Sequence, residues 1–378
     1  MRVGLSIFMQ NYADWSRFEA AERGEPVPAV PAKDDQEVFA EDLRIALLSD
    51  ELGFDSLFTV EHHFTPYTMV PNPLQLLTYF AGATSNVDLG TMVVVLPWHN
   101  PVRVAEDIGM LTSLLGDRKL ILGVGRGIGR REYAGLQVDM TKTRELFAES
   151  MEIIRRAISQ PTFSFSGRHN QIPETSLRPR PASADVLDDV HMAWGSPQSL
   201  PVAAQTGLKP FVIPQKPLNE YVPELEQYDR LRAEAGYAPA RPKIVVWVYC
   251  SDKPAGTDPD ADRFFFEYGD SAVRHYELKS DHFHSLPGYE HYAQNSDLMN
   301  EHGIDFGKVL MNEHVFGTPE ECVDKIRRIN DLLMPSEFVC VFKFGSMTAE
   351  QAERSLRLFA REALPEVKKL PVRTPAQV

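Results

Sequence analysis

The chain has 378 residues, 43% apolar and 24% charged, a composition that excludes global disorder and supplies a large core. Its formal net charge of −14 argues against nucleic acid as a partner, because phosphate backbones are bound by clustered Lys and Arg. No apolar run reaches the ~18 residues of a membrane span, and the N-terminus lacks a charged-then-apolar signal region, so a cytoplasmic protein with no membrane partner is expected.

Apolar, β-branched runs alternate with helical patterns along the whole chain, the signature of parallel strands joined by crossover helices. Strand candidates begin at Val3, Ser56, Val87, Lys119, His191, Pro210, Ile244 and Phe338, which makes eight. Near-continuous runs such as TMVVVLP and KIVVWVY fit strands buried on both faces. Helical spacing links them, as in Leu43, Ala46 and Leu47 before Gly53, or Phe147, Met151, Ile154 and Ile158. A (β/α)8 barrel typically takes about 250 residues and grows by insertion. The expected fold is therefore a single α/β TIM-barrel domain over 1–378 with insertion loops at its C-terminal face. Two stretches break the rhythm, 12–35 and 255–305, and the second is the expected lid. Cys250, Cys322 and Cys340 lack CxxC spacing and are expected as small buried residues.

Four constellations at strand ends could carry chemistry. Glu61, His62, His63 and Phe64 follow the strand DSLFTV, at the barrel end where active sites lie, so proton transfer or ligand contact is open to them. Loop histidines bonded to backbone would look the same. Adjacent histidines make poor metal geometry and no third ligand is obvious, so no metal is expected. Pro97, Trp98, His99, Asn100 and Pro101 follow TMVVVL and could line a pocket or form a rigid turn. Gly123, Gly125, Gly127 and Gly129 surround Arg126 after KLILGV; small residues let backbone N–H groups approach an anion, and Arg offers a planar fork. The spacing is GxGxGxG, which weakens a dinucleotide fingerprint, and a tight turn would also explain it. Trp194, Gly195, Ser196 and Pro197 follow the strand HMA; the serine reads as a helix cap or as part of an anion site. No hydrolase elbow or P-loop is present.

These pieces in this order resemble the bacterial-luciferase-like flavin-dependent monooxygenase superfamily from the first strand to the last helix. The stretch from NPLQLLTYF through DLGTMVVVLPWHNP to KLILGVGRG is similar to the family's third and fourth βα units. REY, Arg144, Phe147 and Glu149, then FSGRHN, RPRP, GTPEECVDKI and RSLRLFAREALPEV, continue the pattern.

The resemblance implies FMN across the top of the barrel, its phosphate held by Arg126 and Ser196 with Gly125, Gly127 and Gly195 nearby. It maps a role beside the flavin ring to His62, with Glu61 and His63 as further catalytic candidates and Phe64, Trp98 and His99 as substrate-pocket candidates. It also implies a non-prolyl cis peptide or bulge near Met92 and Val93. Luciferase carries a cysteine where this chain has Gly125, which puts light emission in doubt. The implied reaction uses FMNH2 from a separate flavin reductase and O2, through a C4a-peroxyflavin, to oxygenate a small, largely apolar substrate. A homodimer is expected by the same analogy. The alternatives are hydride transfer with deazaflavin F420 on the same barrel, disfavoured by the EHHF motif, and a non-catalytic flavin-binding subunit.

Overall fold

The computed structural model describes residues 1–29 and 31–372, so the last six residues of the expected domain lie outside the described residues. Among the described residues eight parallel strands form the barrel: Arg2–Ile7, Ser56–Thr59, Asp88–Thr91 continued by Val94–Val95, and Leu120–Ile121 continued by Gly123–Gly125. His191–Ala193, Lys209–Val212, Lys243–Cys250 and Glu337–Val341 complete the set. Each pairs in parallel with the next, from Gly4 opposite Ser56 to Lys243 opposite Glu337, and Glu337 returns to Arg2. The third and fourth strands are each interrupted. Their first halves pair Leu89 with Leu120, their second halves pair Val94 with Val124, and the ladder closes into a (β/α)8 barrel. At the interruption the Thr91 hydroxyl donates to Gly123 O at 2.7 Å and accepts from Gly123 N at 2.9 Å, standing in for missing ladder bonds.

The barrel interior is filled by side chains, as a barrel of this size requires. Phe58 packs edge-on against Phe211, with ring centroids 5.8 Å apart. Gly90 makes room for it, since a Cβ there would stand 2.2 Å from the Phe58 ring. Lys243–Cys250 is buried along its whole length, in keeping with its unbroken apolar sequence. Helices start where strand-end turns supply caps. Asn72 and Asn100 accept from the first-turn N–H groups of Pro73–Ala83 and Pro101–Leu115, and Thr318 forms a capping box with Glu321. All three cysteines are free and buried.

The two irregular stretches contain helices. Trp15–Glu22 precedes Asp35–Glu51, and the 255–305 region folds into Pro259–Tyr276 and Glu290–His302, followed by Phe306–Glu313. Pro259–Tyr276 is amphipathic, with Phe264, Phe265, Tyr268 and His275 on its buried face, a regular helix inside a stretch expected only as a break in the rhythm. A small apolar cluster of Tyr133, Met140, Phe283, Tyr289 and Ala293 joins the insertion to the loop after the fourth strand.

Candidate active site

The C-terminal ends of the strands surround a solvent-open cleft with about 1060 Å³ of empty space. Its floor and walls are apolar and aromatic: Phe8, Met92, Val93, Trp98, Phe211 and Tyr268 contribute. The Met92–Val93 peptide is cis and forms a shelf between the halves of the third strand. Gly125 lies against it, and a Cβ there would come within 2.6 Å of Val93 Cγ2. Gly127 has φ +75°, and a Cβ there would meet Trp98 at 2.8 Å, so glycine is required on both counts.

One end of the cleft is titratable. His62 Nδ1 lies 3.1 Å from Glu132 Oε1, and Tyr276 OH lies 3.1 Å from His62 Nε2. Glu132 also accepts from His63 N at 2.9 Å and faces His275 Nε2 at 3.5 Å. Burial alone would raise the Glu132 carboxyl, but the charge and hydrogen bonds of His62 and His275 outweigh it and hold the pKa at about 2. Burial pushes His275 down to about 4, only partly opposed by Glu132, so it stays neutral at pH 7. His62, Glu132 and His275 are the kind of set that can hold a cation, with ligand atoms within 4.8 Å of one another, yet their contacts with each other account for their placement.

The other end is cationic. Arg126 donates from Nη2 to Ser199 Oγ at 3.1 Å, while its buried Nη1 has no partner among the described residues. Ser196 lies behind, 3.0 Å from Ser199 Oγ. An adjoining recess of about 760 Å³ shares Arg126 and Ser199 with the cleft and adds Arg144 and Arg155. Tyr133 OH donates to Arg126 O and fixes its backbone.

Of the residues singled out in the sequence, Glu61, His62, Met92, Val93, Trp98, Gly125, Arg126, Gly127 and Gly195 line the cleft. Ser196 is buried one step back. Glu61 accepts from Val95 N at 2.7 Å and meets His99 Nε2 at 2.6 Å and His63 Nε2 at 3.3 Å. His63 and His99 therefore brace Glu61 and do not line the cleft. Burial pushes the His99 pKa down, but its hydrogen bond and charge contact with Glu61 prevail and leave it raised. Phe64 is outside the cleft, 53% exposed with φ +66°, its ring over Gly135. Sequence reasoning missed Glu132, Ser199, Arg155, His275 and Tyr276. The tract REY held Glu132, and Ser199 follows Ser196 by one helical turn; the other three carried no local signal.

The family of luciferase-like monooxygenases matches residues 20–335. The alkanal monooxygenase alpha chain of Photorhabdus luminescens is 25% identical over 343 residues, covering 88% of this chain and 93% of that one. Among solved structures, the FMN-bound oxygenating constituent of 3,6-diketocamphane monooxygenase from Pseudomonas putida superposes with TM-score 0.68 at 21% identity. It covers 98% of this chain and 99% of that chain. An F420-dependent secondary alcohol dehydrogenase superposes with TM-score 0.67 at 14% identity, covering 97% and 99%. At these identities the two structures speak for the fold alone. The match across 20–335 decides the family: the chain belongs to the luciferase-like monooxygenases, flavin-dependent monooxygenases and oxidoreductases built on a (β/α)8 barrel.

Proposed function

We propose that this chain is the oxygenating component of a two-component monooxygenase. A separate reductase supplies reduced FMN, and the chain uses it with O2 to oxygenate a small, largely apolar organic substrate. The observation that carries this reading is the buried Nη1 of Arg126, left without a partner at one end of an apolar cleft whose other end holds His62 and Glu132. A buried donor without a partner is costly, and a phosphate would satisfy it.

Arg126 and Ser199, with Ser196 behind, would hold the FMN phosphate; Arg144 and Arg155 add positive charge to the recess. Met92, Val93 and the glycines at 125, 127 and 195 would bear on the rest of the molecule. Bound reduced FMN supplies the activation of O2. The chain's own residues exclude water with aromatic walls, and His62 manages a proton at Nε2 while Glu132 offsets the charge that forms on the imidazole. The 255–305 insertion, part of the same domain, is read as a lid, since Tyr268, Tyr276 and Tyr292 project from it into the cleft. No helix among the described residues is long and apolar enough to cross a membrane, and the protein is read as cytoplasmic. Exposed Tyr79, Met110 and Leu114 on neighbouring helices support a homodimer.

The test is rapid mixing of the protein with reduced FMN and O2. Saturable binding is expected, with oxidised-flavin absorbance returning more slowly than for free reduced FMN. Retention of F420 in place of FMN, or flavin oxidation at the rate of free flavin, would overturn the reading in favour of hydride transfer or of a non-catalytic subunit.

A further inference from the structure

We propose that Tyr276 and His275, carried by the inserted helix Pro259–Tyr276, are positioning residues that hold His62 as the Nδ1–H tautomer with Nε2 presented to the cleft. The argument is one of hydrogen-bond capacity. A neutral imidazole has one N–H and one acceptor, and an ionised carboxylate only accepts. Glu132 faces His62 Nδ1 at 3.1 Å and favours a proton there, and Tyr276 OH, 3.1 Å from Nε2, donates to that nitrogen and so favours the same tautomer.

His275, its ring 4.8 Å from that of His62, makes the same choice towards the same oxygen of Glu132. Thr65 Oγ1 lies 2.7 Å from His275 Nδ1, which leaves the Nε2 proton directed at Glu132 Oε1, 3.5 Å away. Tyr67 stacks on His275 with ring centroids 4.7 Å apart and meets His62 edge-on at 5.0 Å, so neither ring is free to flip. Burial raises the Tyr276 hydroxyl well above its ordinary value, which keeps its proton in place as a donor. The groups facing this assembly are Tyr67 from the loop after the second strand, Arg131 and Glu132 from Arg130–Gly135, Tyr268 from the inserted helix, and Tyr292 from Glu290–His302. Glu132 is the carboxylate among them, and the compensating charge is therefore assigned to it.

When Nε2 takes a proton from a donor in the cleft, the hydrogen bond donated by Tyr276 is given up, and the imidazolium remains paired with Glu132. The insertion thereby becomes part of the proton site as well as a cover for the cleft.

This role rests on His62 being the proton-handling group of the proposed function, but its test needs no flavin. In the full chain labelled with 15N-histidine, His62 is assigned by loss of its signals in His62→Gln. Its nitrogen shifts are expected to report the Nδ1–H tautomer in the unmodified protein. In Tyr276→Phe a tautomer mixture is expected, with a protonation constant larger by about two- to tenfold, because the lost hydrogen bond stabilised the neutral form. An Nε2–H tautomer in the unmodified protein overturns the proposal even if the variant fails to fold. Unchanged tautomer and titration in a folded Tyr276→Phe also overturn it. If the tautomer is as expected but reduced FMN is not bound, the functional reading fails and the positioning stands.

Discussion

At the N-terminal end of the barrel, Lys243 Nζ lies 2.6 Å from Glu337 Oε2, Ser56 donates to the other carboxylate oxygen at 2.5 Å, and Arg2 stands 3.6 Å away. At the C-terminal end, the buried Arg126 Nη1, Glu132 Oε2 and Trp98 Nε1 have no hydrogen-bond partner among the described residues. The four N-terminal groups come from the first residues of four neighbouring strands and close on one another. The C-terminal groups come from the segments after the third and fourth strands and leave capacity spare. Buried polar groups are normally satisfied, so the closed end belongs to stability and the open end to a ligand.

The sharpest way to break this contrast is at the closed end. Lys243→Met takes the nearest cation from a buried carboxylate and leaves it Ser56 and the more distant Arg2, and a loss of about 3 kcal/mol is expected in urea denaturation, with FMN affinity of the folded fraction unchanged. At the open end the pattern should invert. Arg126→Ala is expected to weaken FMN binding about ten- to hundredfold in a fluorescence titration, while the melting temperature of the flavin-free protein holds or rises, because an unpaired buried donor has been removed.

The smallest effect is read from pH. His275 is held down at about 4 against 6.5, so the unfolded chain binds its proton first, and stability falls as pH drops from 6.5 towards 4. Glu132, held at about 2 against 4.5, adds a further loss between those values. His191 and His314, lowered to about 4 and about 3 by burial, share the upper window. Only the difference between curves isolates one group: His275→Gln should flatten the limb between pH 6.5 and 4 by about 1–2 kcal/mol.

The barrel was legible because its signal is local and repeated. All eight strand starts read from β-branched runs fall within a residue of the observed ones. The cleft was half legible. His62 and Arg126 sit at strand ends, where an apolar run gives way to polar residues, and that transition is visible in one dimension. The partners that set their chemistry are not. Tyr276 meets His62 across 214 positions, and it does so from an insertion whose placement depends on packing. Likewise Ser196 and Ser199 look alike in sequence, and only the start of the helix Ser199–Gln205 decides which hydroxyl faces Arg126.

Glu61 ties two of these places together. Its carboxylate carries Val95 N, the first amide of the strand half beyond Val94, while its backbone is bonded directly to that of His62. The peptide shelf and the loop bearing His62 are thus tied together by the side chain of Glu61. Loss of that one carboxylate would untie the shelf from the loop.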